Sequence, residues 1–279
     1  MTRPVTRALR ACALVLLLIG AQAAQAQTPT ARIVTAAKAF LATLDTTQQR
    51  NVLFAFDDEQ QRKRWSNLPV ISVRRAGLSL AELKPAQRAA AMALVASALS
   101  RRGFEKVEQI MEADELLVRD AGSRRMFGRD LYYISILGTP SEKAPWMLQF
   151  GGHHLALNVT IAGEHGVLTP SLIGAQPALY TLNGVTVRPL GGESDKAIGL
   201  LNALDEAQRK QAVLSFRVAD LVLGPGQDGR TIQPEGLKAS AMTEQQKAML
   251  LDVISEWANI VHDSAAAARM AEKIGRAHV

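Results

Sequence analysis

The sequence predicts an α+β fold: a central antiparallel β-sheet from the middle of the chain, flanked by helical hairpins from the N- and C-terminal thirds. Three observations predict it. Apolar residues recur at three-and-four spacing from about Thr30 to Ala113, and again from Lys196 to about Lys273. Between them, about Leu131 to Leu190, strand-like runs alternate with turn residues, as in DLYYISILG, WMLQFGGHHLALNVTIAG, GVLTPSLIG and GVTVRPLGG. A short pattern also repeats across the two helical zones.

From the N-terminus, residues 1–26 read as a secretory signal peptide. Arg3, Arg7 and Arg10 precede an apolar run from Ala11 to about Ala21, and Ala24-Gln25-Ala26 supplies the small-x-small cleavage pattern. That run is about half of the ~20 residues that span a bilayer, so no stable membrane insertion is expected after cleavage. Residues 27–273 then form a single α+β domain. Its first helical zone carries Ile33, Ala37, Phe40, Leu41 and Leu44 on one stripe, and Leu80, Leu83, Gln87, Ala90, Ala91, Leu94 and Ala98 on another. In the last zone Leu250, Ile254, Trp257 and Val261 are expected to share a stripe. The closing Ile274-Gly275-Arg276-Ala277-His278-Val279 is what a sequencing adapter (ATC GGA AGA GCA CAC GTC) encodes. Residues 274–279 therefore read as adapter read-through on a C-terminally truncated chain.

The only cysteine, Cys12, lies in the leader, so the mature chain is expected to have no disulfide, thiolate ligand or thiol nucleophile. The whole sequence has 32 basic and 26 acidic residues, a net charge of +6. Without Arg3, Arg7, Arg10 and Arg276 the balance is 28 to 26, which argues against a nucleic-acid partner.

The repeat reads LDTTQQR from Leu44, LKPAQR from Leu83, LDEAQRK from Leu204 and MTEQQK from Met242. Gly77-Leu78 leads the second copy and Gly236-Leu237 the fourth, at the same spacing. Asp45, Asp205 and Thr243 suit N-caps and Pro85 suits a first turn, so each copy is expected to open a helix.

The chain has no serine-hydrolase elbow, Walker loop, HExxH or EF-hand loop. Gly224-Pro225-Gly226-Gln227-Asp228-Gly229 matches GxGxxG, but no helix follows to hold a pyrophosphate, so it reads as a loop. Of the four histidines outside the tail, His165 reads as a hairpin tip and His262 lies beside the last apolar stripe. His153 and His154 stand in GGHH. On a regular strand their side chains point to opposite faces, His153 toward the core and His154, with Asn158, toward the polar face, unless Gly151-Gly152 bulges the strand and re-aims one of them. A zinc or copper ion needs further ligands, for which Glu193 and His165 are the candidates.

WMLQFGGHHLALN, GAQPA (Gly174 to Ala178), VRPLGGE (Val187 to Glu193), LDEAQRKQA (Leu204 to Ala212) and RWSNLP (Arg64 to Pro69) resemble the bacterial domain of unknown function 3500 family over nearly the whole mature chain. The resemblance implies an exported protein and marks Gly152, His153, His154, Asn158, Pro177, Arg188 and Glu193 as pattern positions.

The expected function is that of an exported bacterial protein, periplasmic or secreted, with a histidine-based site for a small-molecule ligand. His153 and His154 are ligand or acid/base residues, Glu193 a carboxylate ligand or base, Arg188 an anion-pairing group and Asn158 an orienting one. The metal set is His153, His154 and Glu193, with a divalent ion such as zinc or copper as cofactor. The alternative is a non-enzymatic periplasmic binding or scaffold protein whose histidines are structural.

Overall fold

The computed structural model describes residues 27–121, 123–215, 217, 221–227, 229–262, 266, 270 and 271. Residues 1–26, expected to be a leader, and residues 274–279, expected to be adapter read-through, lie outside them.

Helix α1 (Pro29–Ala42) starts on Thr28, whose side chain accepts from the Ala31 amide, with proline in the first turn. It buries Ile33, Val34, Ala37 and Phe40. After Leu44 comes α2 (Thr46–Val52), then β1 (Leu53–Phe54), the one-turn α3 (Glu59–Arg62) and β2 (Leu78–Ser79). A 3-10 turn, Leu80–Glu82, leads into α4 (Pro85–Ala98), which packs on α1. Helix α5 (Arg101–Ala121), 21 residues and so about 30 Å long, runs on past Ala113, where the helical zone was expected to end.

The sheet follows: β3 (Tyr133–Leu137), β4 (Trp146–Gly152), β5 (Leu155–Ala162) and β6 (His165–Ile173). These four strands are antiparallel neighbours in chain order, and β2 and β1 share the free edge of β3. The sheet is mixed, because β1 runs parallel to β3. A small hairpin, β7 (Tyr180–Leu182) and β8 (Val185–Val187), stands apart. Then come α6 (Gly191–Ala203), α7 (Glu206–Ala212), a 3-10 turn at Ala239–Ala241 and α8 (Glu244–Ala258) packed on α6.

One sheet face carries Ile134, Ile136, Leu148, Phe150, Leu157 and Val159, all buried against Phe40, Ala91, Leu94, Ala98, Val107 and Ile110 of α1, α4 and α5. Each such side chain contributes on the order of 1.5–3 kcal/mol by leaving water. The other face was expected to be polar, and it is polar but covered. Ser135, Gln149 and Asn158 are direct neighbours across β3, β4 and β5 and all are buried beneath the segment after β1. Gln61 of α3 donates to Ser135 and Gln149, Gln149 donates to Asn158, and Asn158 donates to the Pro170 carbonyl where the β5–β6 register shifts.

The repeat is a duplicated helical unit. Capping boxes occur at Asp45/Gln48, Asp205/Gln208 and Thr243/Gln246. In each unit the two glutamines exchange amide hydrogen bonds, Gln48 with Gln87 and Gln208 with Gln246. The second amide of each pair also reaches the end of the unit's first helix, at Thr43 and Ala203. Gly77 and Gly236 have matching φ of 92° and 91°. The expected stripe on α8 holds less well. Trp257 is 44 % exposed, and Val261 lies past the helix, bridged to Leu99. The helix instead turns Gln246 and Glu256 inward.

Candidate functional site

His153 and His154 are not strand residues. They are the two-residue turn between β4 and β5, closed by the Gly152–Leu155 pair. The opposite-face expectation therefore fails, because a tight turn frees both side chains from the pleat, and the rings lie with centroids 4.0 Å apart. His154 has φ of 59°, a left-handed conformation in which glycine or asparagine is usual. Its surroundings over-determine it. The His154 amide donates to the Asn67 carbonyl at 2.9 Å, and its carbonyl accepts from the Gly174 amide at 2.7 Å. Its Nε2 lies 3.2 Å from Gln176 Oε1. A Cβ on Gly174 would stand 3.0 Å from His154 Nδ1, so RWSNLP and GAQPA close on the turn from two sides.

His153 is buried. Its Nδ1 lies 2.6 Å from Asp114 Oδ1 on α5, and Asp114 Oδ2 accepts from the Gly128 amide at 2.9 Å. The Phe127 ring lies 4.9 Å from the imidazole, and the Tyr132 hydroxyl donates to the His153 carbonyl at 3.0 Å. Burial, with help from Asp114, raises the Tyr132 pKa well above the usual range and keeps it a donor. Among the described residues His153 Nε2 has no hydrogen-bond partner. The guanidinium of Arg75 braces the turn from below, donating to the carbonyls of Ser66 (2.8 Å), Leu68 (2.7 Å) and Gly152 (3.4 Å).

The His154 pKa is lowered, first by burial and then by His153, against the opposing pull of Gln176 and Asp114. The folded protein thus holds this imidazole neutral while the unfolded chain takes up a proton near 6.5. The stabilising contribution is present above 6.5 and lost as pH falls through the folded-state value. Urea midpoints measured from neutral to mildly acidic pH should fall in the wild type and flatten in His154→Gln; identical curves would deny His154 this role.

The other expected site residues lie elsewhere. Asn158 belongs to the polar row across the sheet. Arg188 is half-exposed and makes a bidentate pair with Asp195 at 2.8 Å. Glu193 is buried at the start of α6 and pairs with Lys106 of α5. Lys106 and Asp114 are eight residues apart on one helix, about 12 Å along its axis, so Glu193 does not reach the histidines. His165 pairs with Ala162 at the far end of β5, roughly 25 Å from the turn. Among the described residues no group of three or more His, Cys, Asp and Glu is placed to hold a metal, so the set His153, His154 and Glu193 is not assembled.

Asp114 escaped the reading of the sequence, yet it left a trace. Val107, Ile110, Met111 and Val118 form the buried stripe of α5, and Asp114 falls in the same register. A carboxylate in a core position must have a partner.

No curated protein and no solved structure matches the chain. The sequence pattern of one family, described as Protein of unknown function (DUF3500), matches residues 26–277. That span takes in the RWSNLP, GGHH and GAQPA segments that meet at the turn and the VRPLGGE segment that meets α5, and the chain belongs to this family.

Proposed function

We propose that the chain is an exported protein whose GHH turn is a histidine-based site acting on a small molecule, with Asp114 and His153 as its acid/base element. The observation that carries this reading is the 2.6 Å contact at His153 Nδ1 together with the unpartnered Nε2. Asp114 accepts the Nδ1 proton and fixes that tautomer, which leaves the Nε2 lone pair as the group able to take a proton. The neutral ring of His154 beside it adds no competing charge. Export rests on the basic, apolar and small-residue pattern of residues 1–26, and the family match begins at residue 26.

The rival reading, a binding or scaffold protein with structural histidines, is favoured by the clamp on the turn, in which Tyr132, Asn67 and Gly174 all bind its backbone. Carbethoxylation with diethyl pyrocarbonate at neutral pH, read by mass spectrometry, separates the two. On the acid/base reading His153 is modified in the folded protein, and Asp114→Asn slows the reaction severalfold while the far-ultraviolet circular dichroism stays native. A His153 that resists the reagent until the protein unfolds leaves the scaffold reading standing. The same spectra give the N-terminus, expected at Gln27 when the chain is made with its own leader; retained Met1 counts against export.

A further inference from the structure

Beside the β2 edge of the sheet the surface opens into a cleft of about 910 Å³. Four arginines, Arg50, Arg64, Arg74 and Arg75, line it together with Tyr133 and Glu82. Glu82 is their one carboxylate, and its Oε2 already accepts from the Ser79 amide at 2.8 Å. None of the four arginines forms an ion pair with a described carboxylate. Exposed arginines on a surface need no partner, but Arg75 is only 8 % exposed and is met by the carbonyls of Ser66, Leu68, Val73 and Gly152 alone. Carbonyls satisfy its donors without cancelling its charge, and burial lowers its pKa to about 10.

The cleft adjoins a small inner cavity with which it shares the lining residues Arg64, Arg75, Ala76 and Tyr133 and which reaches the polar row of the sheet. Gln61 Oε1 and Trp65 Nε1, of two residues that line this cavity, are buried with no hydrogen-bond partner among the described residues, and Gln61 is only 3 % exposed. An orphaned acceptor and an orphaned donor lining one cavity each cost on the order of 1–3 kcal/mol while unpaired. The inner cavity, about 30 Å³, takes a water or a hydroxyl group and not the body of a ligand. The outer cleft lies within the range of roughly 300–1,000 Å³ typical of small-molecule sites.

We infer that this cleft binds a small organic anion carrying at least two carboxylate or phosphate groups. One group sits at the inner end between Arg64 and Arg75, and the other faces Arg50 and Arg74 at the mouth. The guanidinium forks of Arg50, Arg64 and Arg74 suit both oxyanions, since each offers paired oxygens to parallel N–H donors, while Arg75, whose donors the carbonyls occupy, contributes its uncancelled charge. A hydroxyl or bridging water at the inner end meets Gln61 Oε1 and Trp65 Nε1. Nothing in this assignment depends on proton chemistry at the GHH turn.

Isothermal titration of the full chain with citrate, and separately with pyrophosphate, at ionic strength held constant with sodium chloride, tests the inference. Saturable one-site binding of at least one probe is expected, and the preferred probe tells carboxylate from phosphate. Arg64→Gln/Arg74→Gln, which alters one inner and one mouth residue and spares the buried Arg75, should weaken binding at least tenfold, while Lys143→Gln, exposed and outside the cleft lining, leaves it unchanged. Absence of saturable binding by both probes, or equal affinity in the double arginine variant, overturns the inference.

Discussion

Replacing Lys106 with methionine is expected to lower the free energy of unfolding by about 3–5 kcal/mol. Lys106 lies on α5 with 7 % exposure, paired with Glu193 of α6 and 3.9 Å from Glu256 of α8. Both carboxylates are buried, and Glu193 Oε2 has no hydrogen-bond partner among the described residues. Arg102 and Lys196 approach Glu256 at 2.8 and 2.7 Å, so Glu256 keeps two cations when Lys106 is lost. Glu193 keeps none. The cluster is tightly packed at this point, since a Cβ on Gly192 would stand 2.8 Å from both Arg102 Nη2 and Glu256 Oε2. Urea unfolding with linear extrapolation measures the loss. Lys106→Met/Glu193→Gln should recover a large part of it by removing the stranded charge, and an unchanged midpoint in Lys106→Met would show that the cluster contributes nothing.

Gly77→Ala is expected to cost about 2–5 kcal/mol, the sum of backbone strain and overpacking, and Gly236→Ala only about 1–2 kcal/mol. The two glycines occupy equivalent places in the repeated units with nearly the same φ. A methyl at Gly77 would overlap Ser135 Oγ and the Ile134 carbonyl oxygen of β3; the carbonyl cannot withdraw without disturbing the strand, and the hydroxyl can rotate away only by giving up its bonds with Gln61 and Ala76. At Gly236 a methyl meets no described atom within 4 Å. Paired urea titrations separate the steric cost from the conformational one; equal losses at both sites would mean that the positive φ alone sets the effect.

The contrast shows which features local sequence carries. Helix starts were legible at Asp45, Asp205 and Thr243 because a cap and its glutamine partner lie three residues apart and need nothing else. The sheet zone was legible from alternation. The turn at His153-His154 was not, since paired histidines are not turn formers and the alternating run reads straight through them. A local rule broken this way is held by contacts from Asn67, Gly174 and Asp114, all remote in sequence. Glu193 was read toward the histidines for the same reason. Its partner Lys106 lies 87 residues away, and nothing in spacing announces such a pair. Arg75 and Gln61 were missed because a single arginine or glutamine in a polar stretch looks solvated until a sheet closes over it.

The repeated units also differ in what holds them down. Residues 53–54 and 78–79 of the first unit are stitched into the sheet along β3. In the second unit Val213, just after α7, is 54 % exposed, and a Cβ at Gly236 would meet no described atom within 4 Å. That unit is attached through the Lys106 charge cluster, the Leu99–Val261 bridge and the Ser100 bonds to Asn259 and Ile260. Native-state hydrogen exchange should therefore divide the molecule into two cooperative blocks, with the amides of α6–α8 exchanging through a partial opening that leaves the sheet and α1–α5 protected.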